Sequence, residues 1–203
     1  MLLKDKLKGK KIILASHSPR RRELLLGAEL EFELADGYEV EEIYPTETPA
    51  NKVSEYLAGL KSDAYPYHLG ADDILITADT VVILENKEAP DEIIGKPKDR
   101  DDAIAMLGKL SGREHIVITG VCLRSENKRK SFRVGSRVSF RKLATEEIEY
   151  YVDTFKPFDK AGSYGIQEWI GYVGIKGVKG SFYNVMGLPI QTLYVELEKF
   201  IRK

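Results

Sequence analysis

Residues 74–84 read ILITADTVVIL, an apolar stretch rich in β-branched side chains with one carboxylate, Asp79, at its middle. Such a stretch disfavours a helix, and apolar side chains on both faces are typical of a central strand covered on both sides. A buried ionised carboxylate is costly unless a cation compensates it. Lys61, on a predicted helix, and Lys96, in a Gly-Lys-Pro turn, are candidates. The alternative is that Asp79 only caps a strand end where the sheet splits.

Helix and strand patterns alternate around this stretch. Residues 11–16 predict a buried strand, and Ser18 with Pro19 predicts the N-cap and first turn of a helix over 20–26. Residues 162–187, dense in glycine and aromatics, predict tight turns instead of regular helix. The other predicted elements are helices starting at Thr48, Asp99, Thr145 and Pro189, and two antiparallel strands at 116–124 and 131–140. Together they indicate a mixed α/β sheet.

The helix from Thr48 has a clear helical period. It is predicted to bury four apolar side chains at i, i+3, i+4 and i+7, namely Val53, Tyr56, Leu57 and Leu60. Its exposed side is expected to carry Lys52, Glu55 and Asp63.

The composition is that of an ordinary globular protein. With 203 residues, 43% of them hydrophobic, we expect a single domain over 1–203 with two lobes. The 31 Lys and Arg against 32 Asp and Glu argue against binding nucleic acid or an anionic membrane by bulk charge. No apolar run approaches the roughly 18 residues that cross a bilayer. We expect a cytoplasmic protein, and the lone Cys122 suits a reducing compartment.

A strand-to-helix junction at residues 16–22, SHSPRRR, predicts an anion site. The N–H groups of a helix N-terminus, the Ser16 hydroxyl and the guanidinium groups of Arg20 and Arg21 converge there. Arginine presents forked donors that match phosphate oxygens. The alternative is a solvated basic turn whose partners are surface carboxylates.

Two further segments offer groups that bind ligands. Glu41 and Glu42, in the loop before the second helix, offer carboxylates for magnesium or manganese, unless they are simply solvated. In the stretch 159–167, glycines let the backbone approach a ligand, and Gln167 pairs a donor with an acceptor that can read a base edge. His115 is expected to be an ordinary surface or strand-edge residue.

Eight short segments of the chain match, in order and spacing, the sequence motifs of a protein family. They are LASHSPRRRELL at 14–25, EVEE at 39–42, LAGLK at 57–61, ADTVV at 78–82, GKP at 95–97, SGREH at 111–115, DKAGSYGIQ at 159–167 and GSFYNVMGLPI at 180–190. In these segments the chain resembles the Maf-like (septum formation inhibitor Maf) nucleotide pyrophosphatases.

The resemblance implies hydrolysis of a nucleoside triphosphate to a monophosphate and pyrophosphate. It also implies an elongated mixed α/β fold shared with inosine triphosphate pyrophosphatases, with the active site in a cleft between two lobes. Asp79 matches the family's general base. The positions that match phosphate-contacting and metal-proximal residues are Ser16, Arg20, Arg21, Lys61, Lys96 and Glu42. Arg20, Thr80 and Gln167 resemble the dTTP/UTP type, whereas the 7-methyl-GTP type carries Trp, Gln and Glu there.

The expected cofactor is a divalent cation, Mg²⁺ or Mn²⁺, near Glu42 and Asp79. Whether Asp79 is the base or mainly a metal ligand stays open. Three alternatives to an enzyme that hydrolyses dTTP and UTP stay open. The protein is a nucleotide-sensing regulator of cell-division arrest, an enzyme that carries out the same reaction on another nucleotide such as 7-methyl-GTP, or a nucleic-acid-binding module. The near-neutral charge makes the last the weakest. Exposed aromatic residues permit a homodimer.

Overall fold

A computed structural model describes residues 1–35, 37–86 and 88–202. Within these ranges the helices are α1 (Leu3–Lys6), α2 (Pro19–Gly27), α3 (Ala50–Asp63), α4 (Arg100–Leu110), α5 (Thr145–Phe155), α6 (Trp169–Gly174), α7 (Phe182–Met186) and α8 (Ile190–Ile201), with a 3₁₀ turn at Ala161–Ser163. The strands are β1 (Lys11–Leu14), β2 (Glu33–Leu34), β3 (Asp73–Leu84), β4 (Glu92–Ile94), β5 (Glu114–Arg124), β6 (Arg129–Phe140) and β7 (Ile175–Lys179).

The strands form one mixed sheet. Its order is β2-β1-β3-β5-β6-β7, and β4 pairs with β3 outside this path. Strand β1 runs parallel to both β2 and β3, whereas β4 is antiparallel to β3 and β7 is antiparallel to β6. The predicted mixed α/β fold is therefore confirmed. The long apolar stretch that predicted a central strand forms β3, where nearly every side chain is buried.

The chain divides into two compact units. The first comprises Met1–Asp79, Thr119–Val134 and Gly187–Lys203, and the second comprises Thr80–Ile118 and Gly135–Met186. The boundary within β3 falls directly after Asp79. That residues 1–203 form a single domain stays a prediction.

In the first unit, helix α3 packs closely on the sheet through small residues. Ser54 and Ala58 on its inner face are fully buried, and the Thr77 hydroxyl of β3 donates a 2.7 Å hydrogen bond to the Ala58 carbonyl. Gly120 of β5 has no space for a side chain, because a Cβ there would overlap the backbone of Ser54 and Glu55. The small residues thus set the distance between α3 and the sheet.

This close packing corrects one prediction for α3. Val53 and Leu57 are buried as predicted, but Tyr56 is 44% exposed and Leu60 is half-buried. The helix turns its small side chains towards the sheet because only they fit against Gly120, and this rotation moves the larger apolar side chains outward.

Gly120→Ala is expected to destabilise the protein by at least about 2 kcal/mol, because the added methyl group meets a helix backbone that cannot rotate away. Gly108→Ala is the matched control, since Gly108 is an exposed residue of α4 with open space where its Cβ would be. In the control, the free energy of unfolding should rise by up to about 1 kcal/mol, because alanine has the higher helix propensity. Thermal or urea unfolding measures both, and equal stabilities would contradict this account of the helix packing.

The helix ends show which capping predictions were correct. Asp99 is the N-cap of α4, as predicted, and its Oδ1 accepts a 2.9 Å hydrogen bond from the Asp102 N–H. Ser18 precedes α2 as predicted, but its side chain makes no capping bond. Its N–H instead donates to the Ser16 hydroxyl at 3.2 Å.

The stretch 162–187 contains β7 and short helices, which the expectation of tight turns did not include.

His115 of the second unit is fully buried, so the expectation of a surface or strand-edge residue was wrong. Its Nε2 lies 2.7 Å from the Tyr164 hydroxyl, and its ring stacks on Phe140 with centroids 5.6 Å apart. Burial disfavours the charged imidazolium and lowers the pKa of His115 to about 4. The ring is therefore neutral at physiological pH.

Because the folded pKa of His115 lies below its unfolded value, the unfolded chain binds the proton first as pH falls. The stability associated with the neutral ring is complete above about pH 6.5 and is lost towards pH 4, by about 3 kcal/mol in total. Denaturant unfolding of the wild type and of His115→Gln between pH 4 and 7.5 measures this loss. The variant should have the shallower dependence on pH, and parallel curves would contradict a buried neutral His115.

Over the described residues, no helix is both long enough and apolar enough to cross a membrane.

Candidate functional site

The buried carboxylate of Asp79 is paired with Lys61. Asp79 lies in the middle of β3, and Lys61 lies in the last turn of α3. The Lys61 Nζ is 2.6 Å from the Asp79 Oδ1, and the two side chains are only 17% and 10% exposed. The cation that the apolar strand required is therefore Lys61, the first of the two lysines considered from the sequence. The packing of α3 on the sheet places it there.

The same ammonium group also contacts Glu42. The Lys61 Nζ lies 2.9 Å from the Glu42 Oε1, and the Glu42 side chain is 40% exposed. Two carboxylates, one buried and one open to solvent, thus contact the same ammonium group. The predicted acidic loop is therefore next to the predicted buried carboxylate, although Glu42 and Asp79 are far apart in the sequence.

Tyr38 connects the acidic loop to α3, a contact that no pattern in the sequence predicts. Its hydroxyl donates a 2.7 Å hydrogen bond to the backbone carbonyl of Lys61. Its ring packs on the apolar cluster that includes Ile13 and Leu75, and burial raises the pKa of Tyr38 to about 12. The hydroxyl therefore keeps its proton and remains a donor.

Arg21 joins three segments that are far apart in the sequence. Its Nη1 donates to the Ser16 hydroxyl at 3.1 Å and to the Ala78 carbonyl at 2.9 Å, while its Nε donates to the Gly187 carbonyl at 2.8 Å. Desolvation lowers the pKa of Arg21, and the nearby carboxylates of Asp79 and Glu42 oppose that shift. The guanidinium is thus a charged group that orients the Ser16 loop and the strand residue before Asp79.

Of the remaining predicted site residues, Arg20 lies in α2 of the first unit, whereas Thr80, Lys96 and Gln167 belong to the second unit. Thr80 is half-buried and follows Asp79 in β3, and Lys96 is exposed in the turn between β4 and α4. The carbonyl of Gly95 in that turn accepts a 2.9 Å hydrogen bond from the Gly162 N–H, so the GKP and DKAG segments are in contact. The Oε1 atom of Gln167 is buried and accepts no hydrogen bond from any described residue.

The carboxylates of Glu42 and Asp79 suit a divalent cation. Both contact one ammonium group, so both can face one cation, and carboxylate oxygens are the ligands that Mg²⁺ and Mn²⁺ prefer. In the ranges that the structure describes, no group of three or more His, Cys, Asp or Glu side chains is arranged to hold a metal.

Comparison with known proteins assigns the chain to a family. The family described as Maf-like protein matches residues 11–200, nearly the whole chain. The chain belongs to the Maf-like family. Two relatives named dTTP/UTP pyrophosphatase are each 50% identical to it: that of Parabacteroides distasonis over 97% of this chain and 99% of the relative, and that of Porphyromonas gingivalis over 97% of each. The resemblance drawn from the sequence motifs is therefore confirmed.

Among solved structures, a HAM1 protein from Coxiella burnetii resembles this Maf-like chain with a TM-score of 0.45 and 14% sequence identity. The match covers 94% of this chain and 99% of that one.

Lys61→Met should destabilise this Maf-like protein by about 3 kcal/mol, because it leaves the buried Asp79 carboxylate without its cation. Lys4→Met is the matched control, since Lys4 and its partner Glu29 are 47% and 71% exposed. An exposed pair contributes little to stability, because water and salt screen it. The double variant Lys61→Met with Asp79→Asn should recover part of the loss. Urea unfolding measures all three variants, and a Lys61 effect no larger than the Lys4 effect would contradict the buried pair.

Proposed function

We propose that this chain is a nucleoside triphosphate pyrophosphatase that hydrolyses dTTP and UTP to the nucleoside monophosphate and pyrophosphate. The observation that carries the proposal is identity of about 50% over nearly the full length to proteins named dTTP/UTP pyrophosphatase. The Glu42–Lys61–Asp79 cluster supports it, because it provides a buried carboxylate next to a lysine that can pair with phosphate oxygens.

Asp79 is proposed as the general base. Its Oδ1 accepts a hydrogen bond from Lys61, which fixes the carboxylate in an orientation from which it can take a proton from water. The water oxygen forms a bond to the α-phosphorus as the bond from that phosphorus to the α–β bridging oxygen breaks. The electron pair leaves with pyrophosphate, and the proton of the water passes to Asp79. Support for this role comes from the position of Asp79 in the ADTVV motif and from its fixed carboxylate.

The positive and hydroxyl groups of the motifs are proposed to bind the phosphates. Arg20 and Arg21 lie in the first turn of α2 and Ser16 lies in the loop before it, where N–H groups and guanidinium groups offer donors to phosphate oxygens. Arg21 would act from an orientation fixed by its hydrogen bonds to Ser16, Ala78 and Gly187. Lys96 is proposed for the same role because it lies in the GKP motif. These cations would stabilise the charge that develops on the departing pyrophosphate.

A divalent cation, Mg²⁺ or Mn²⁺, is the proposed cofactor, and Glu42 and Asp79 would hold it. Two carboxylates together with substrate phosphate oxygens are a common set of Mg²⁺ ligands. When bound, the cation would neutralise phosphate charge and polarise the phosphoryl group. The contact of Lys61 with both carboxylates supports this assignment, because it shows that their oxygens converge on one positive charge.

Arg20, Thr80 and Gln167 are proposed to determine the base preference. The buried Oε1 of Gln167 supports this, because a buried acceptor without a partner is unfavourable until a donor reaches it. Uracil and thymine carry an N3–H donor, whereas cytosine has an acceptor at N3. An amide acceptor in this position therefore favours dTTP and UTP over CTP.

The test is pyrophosphate release from dTTP, UTP, CTP, GTP, ATP and 7-methyl-GTP with Mg²⁺ or Mn²⁺. We expect selective turnover of dTTP and UTP, and a fall in kcat of at least about 100-fold in Asp79→Asn, with the fold retained. Asp72→Asn is the matched control, because Asp72 is a 65% exposed carboxylate that pairs with Lys10. Its kcat should equal that of the wild type.

Each other outcome has a definite meaning. Full activity in Asp79→Asn would overturn its assignment as the base. Turnover of 7-methyl-GTP instead of dTTP and UTP would keep the reaction and overturn the assignment of Arg20, Thr80 and Gln167. Nucleotide binding without turnover of any substrate would overturn the enzyme in favour of a nucleotide-sensing protein.

A further inference from the structure

A charged cluster lies inside the second unit, outside the residues assigned above. We call Tyr151, Lys160 and Glu168 the Glu168 cluster. The Tyr151 hydroxyl donates to the Glu168 Oε2, and the Lys160 Nζ lies 3.2 Å from the Glu168 Oε1. Tyr151 is fully buried, and the side chains of Lys160 and Glu168 are 9% and 20% exposed. Both oxygens of the Glu168 carboxylate are therefore held.

The cluster also holds the backbone of the loop that precedes α6. The Gly165 N–H donates a 2.9 Å hydrogen bond to the Tyr151 oxygen, and the same hydroxyl donates a hydrogen bond to Glu168. A Cβ at Gly165 would lie only 2.7 Å from the Glu168 carboxyl carbon, so the carboxylate rests directly against the Gly165 backbone. One tyrosine hydroxyl thus fixes the loop at Gly165 and at Glu168, on both sides of Gln167.

Stability alone does not account for a cluster of this kind. Removing a lysine and a carboxylate from water costs about as much as their attraction returns, and apolar side chains of the same volume often stabilise a fold as well or better. A satisfied polar network does define a single geometry. Burial and the adjacent carboxylate raise the pKa of Tyr151, so the hydroxyl remains protonated and keeps donating.

We infer that Glu168 and Tyr151 are positioning residues for base recognition: they hold the loop so that the buried Oε1 of Gln167 is presented to the N3–H of uracil or thymine. The inference rests on the proposed function. Gln167 lies between the two fixed points, and its Oε1 is a buried side-chain acceptor that no described residue satisfies. Neither Tyr151 nor Glu168 touches the substrate; both act through Gln167.

The matched test compares two adjacent tyrosines of α5. Tyr151→Phe removes the hydroxyl that joins Gly165 to Glu168, whereas Tyr150→Phe removes one from a side chain that is 51% exposed and keeps its ring contact with Trp169. We expect Tyr151→Phe to raise KM for UTP and dTTP about tenfold, with kcat and the KM for CTP nearly unchanged. Tyr150→Phe should match the wild type.

Two further measurements separate positioning from a general loss of structure. Binding of the non-hydrolysable analogues α,β-imido-dUTP and α,β-imido-dCTP should show the same tenfold loss for the uracil analogue alone. In a Gln167→Ala background, Tyr151→Phe should cause no further loss of selectivity, because the group that it positions is gone. Glu168→Gln, which keeps the volume and loses the charge, should reproduce the loss if Tyr151→Phe fails to fold.

A Tyr151→Phe variant that is less stable but has unchanged preference for uracil over cytosine would overturn the inference, as would equal losses for both bases. Failure of the proposed function is distinguishable from these results. It would appear in the wild type as turnover of no nucleotide, and the analogue-binding comparison would still decide whether the cluster controls base selectivity.

Discussion

The carboxylate of Asp79 lies within a strand whose other side chains are almost all apolar, so its charge has to be balanced by a side chain that reaches it from a neighbouring element. Lys61 does this from the last turn of α3, and the length of its side chain limits how far the helix can be from the sheet. The small residues Ser54 and Ala58 and the absence of a side chain at Gly120 allow that close approach. The ion pair and the helix packing therefore depend on each other.

The two carboxylates that share the Lys61 ammonium group determine the net charge of this part of the first unit. Lys61 is the positive charge that contacts both Glu42 and Asp79, and the guanidinium of Arg21 lies close enough for both carboxylates to affect its pKa. The four groups together are nearly neutral. A triphosphate carries several negative charges, so additional positive charge has to come from Arg20, from other cationic side chains or from a bound cation.

The parts of the fold that sequence reasoning identified are those with strong local signals. The β-branched run that forms β3 and the Asp99 cap of α4 were predicted because period and capping chemistry are local. Short strands were not predicted. Strand β4 has no sequence pattern of its own and is defined by its pairing with β3, where Val82 lies opposite Ile94. The outward turn of Tyr56 likewise depended on a glycine in a distant strand.

The candidate site divides in the same way. The need of Asp79 for a cation follows from the sequence alone, because burial of a charge is costly wherever it occurs. The tie from Tyr38 to the Lys61 carbonyl and the contact of Tyr151 with Glu168 could not be predicted, because each joins segments that meet only in the folded chain. Sequence motifs located the charged residues, and tertiary contacts determined which of them are held in place.

The acceptors of Arg21 have a consequence for the order in which the protein becomes complete. Ser16 and Ala78 are synthesised early, whereas Gly187 emerges from the ribosome only after the whole second unit. A nascent chain that contains Ser16, Arg21 and Ala78 therefore has the Ser16 loop and its arginine, but it lacks the Gly187 carbonyl that accepts from the Arg21 Nε. Contacts between such distant segments form late in folding. The Ser16 loop thus reaches its final shape only when synthesis has passed Gly187, so the phosphate binding proposed for this loop would be delayed until then.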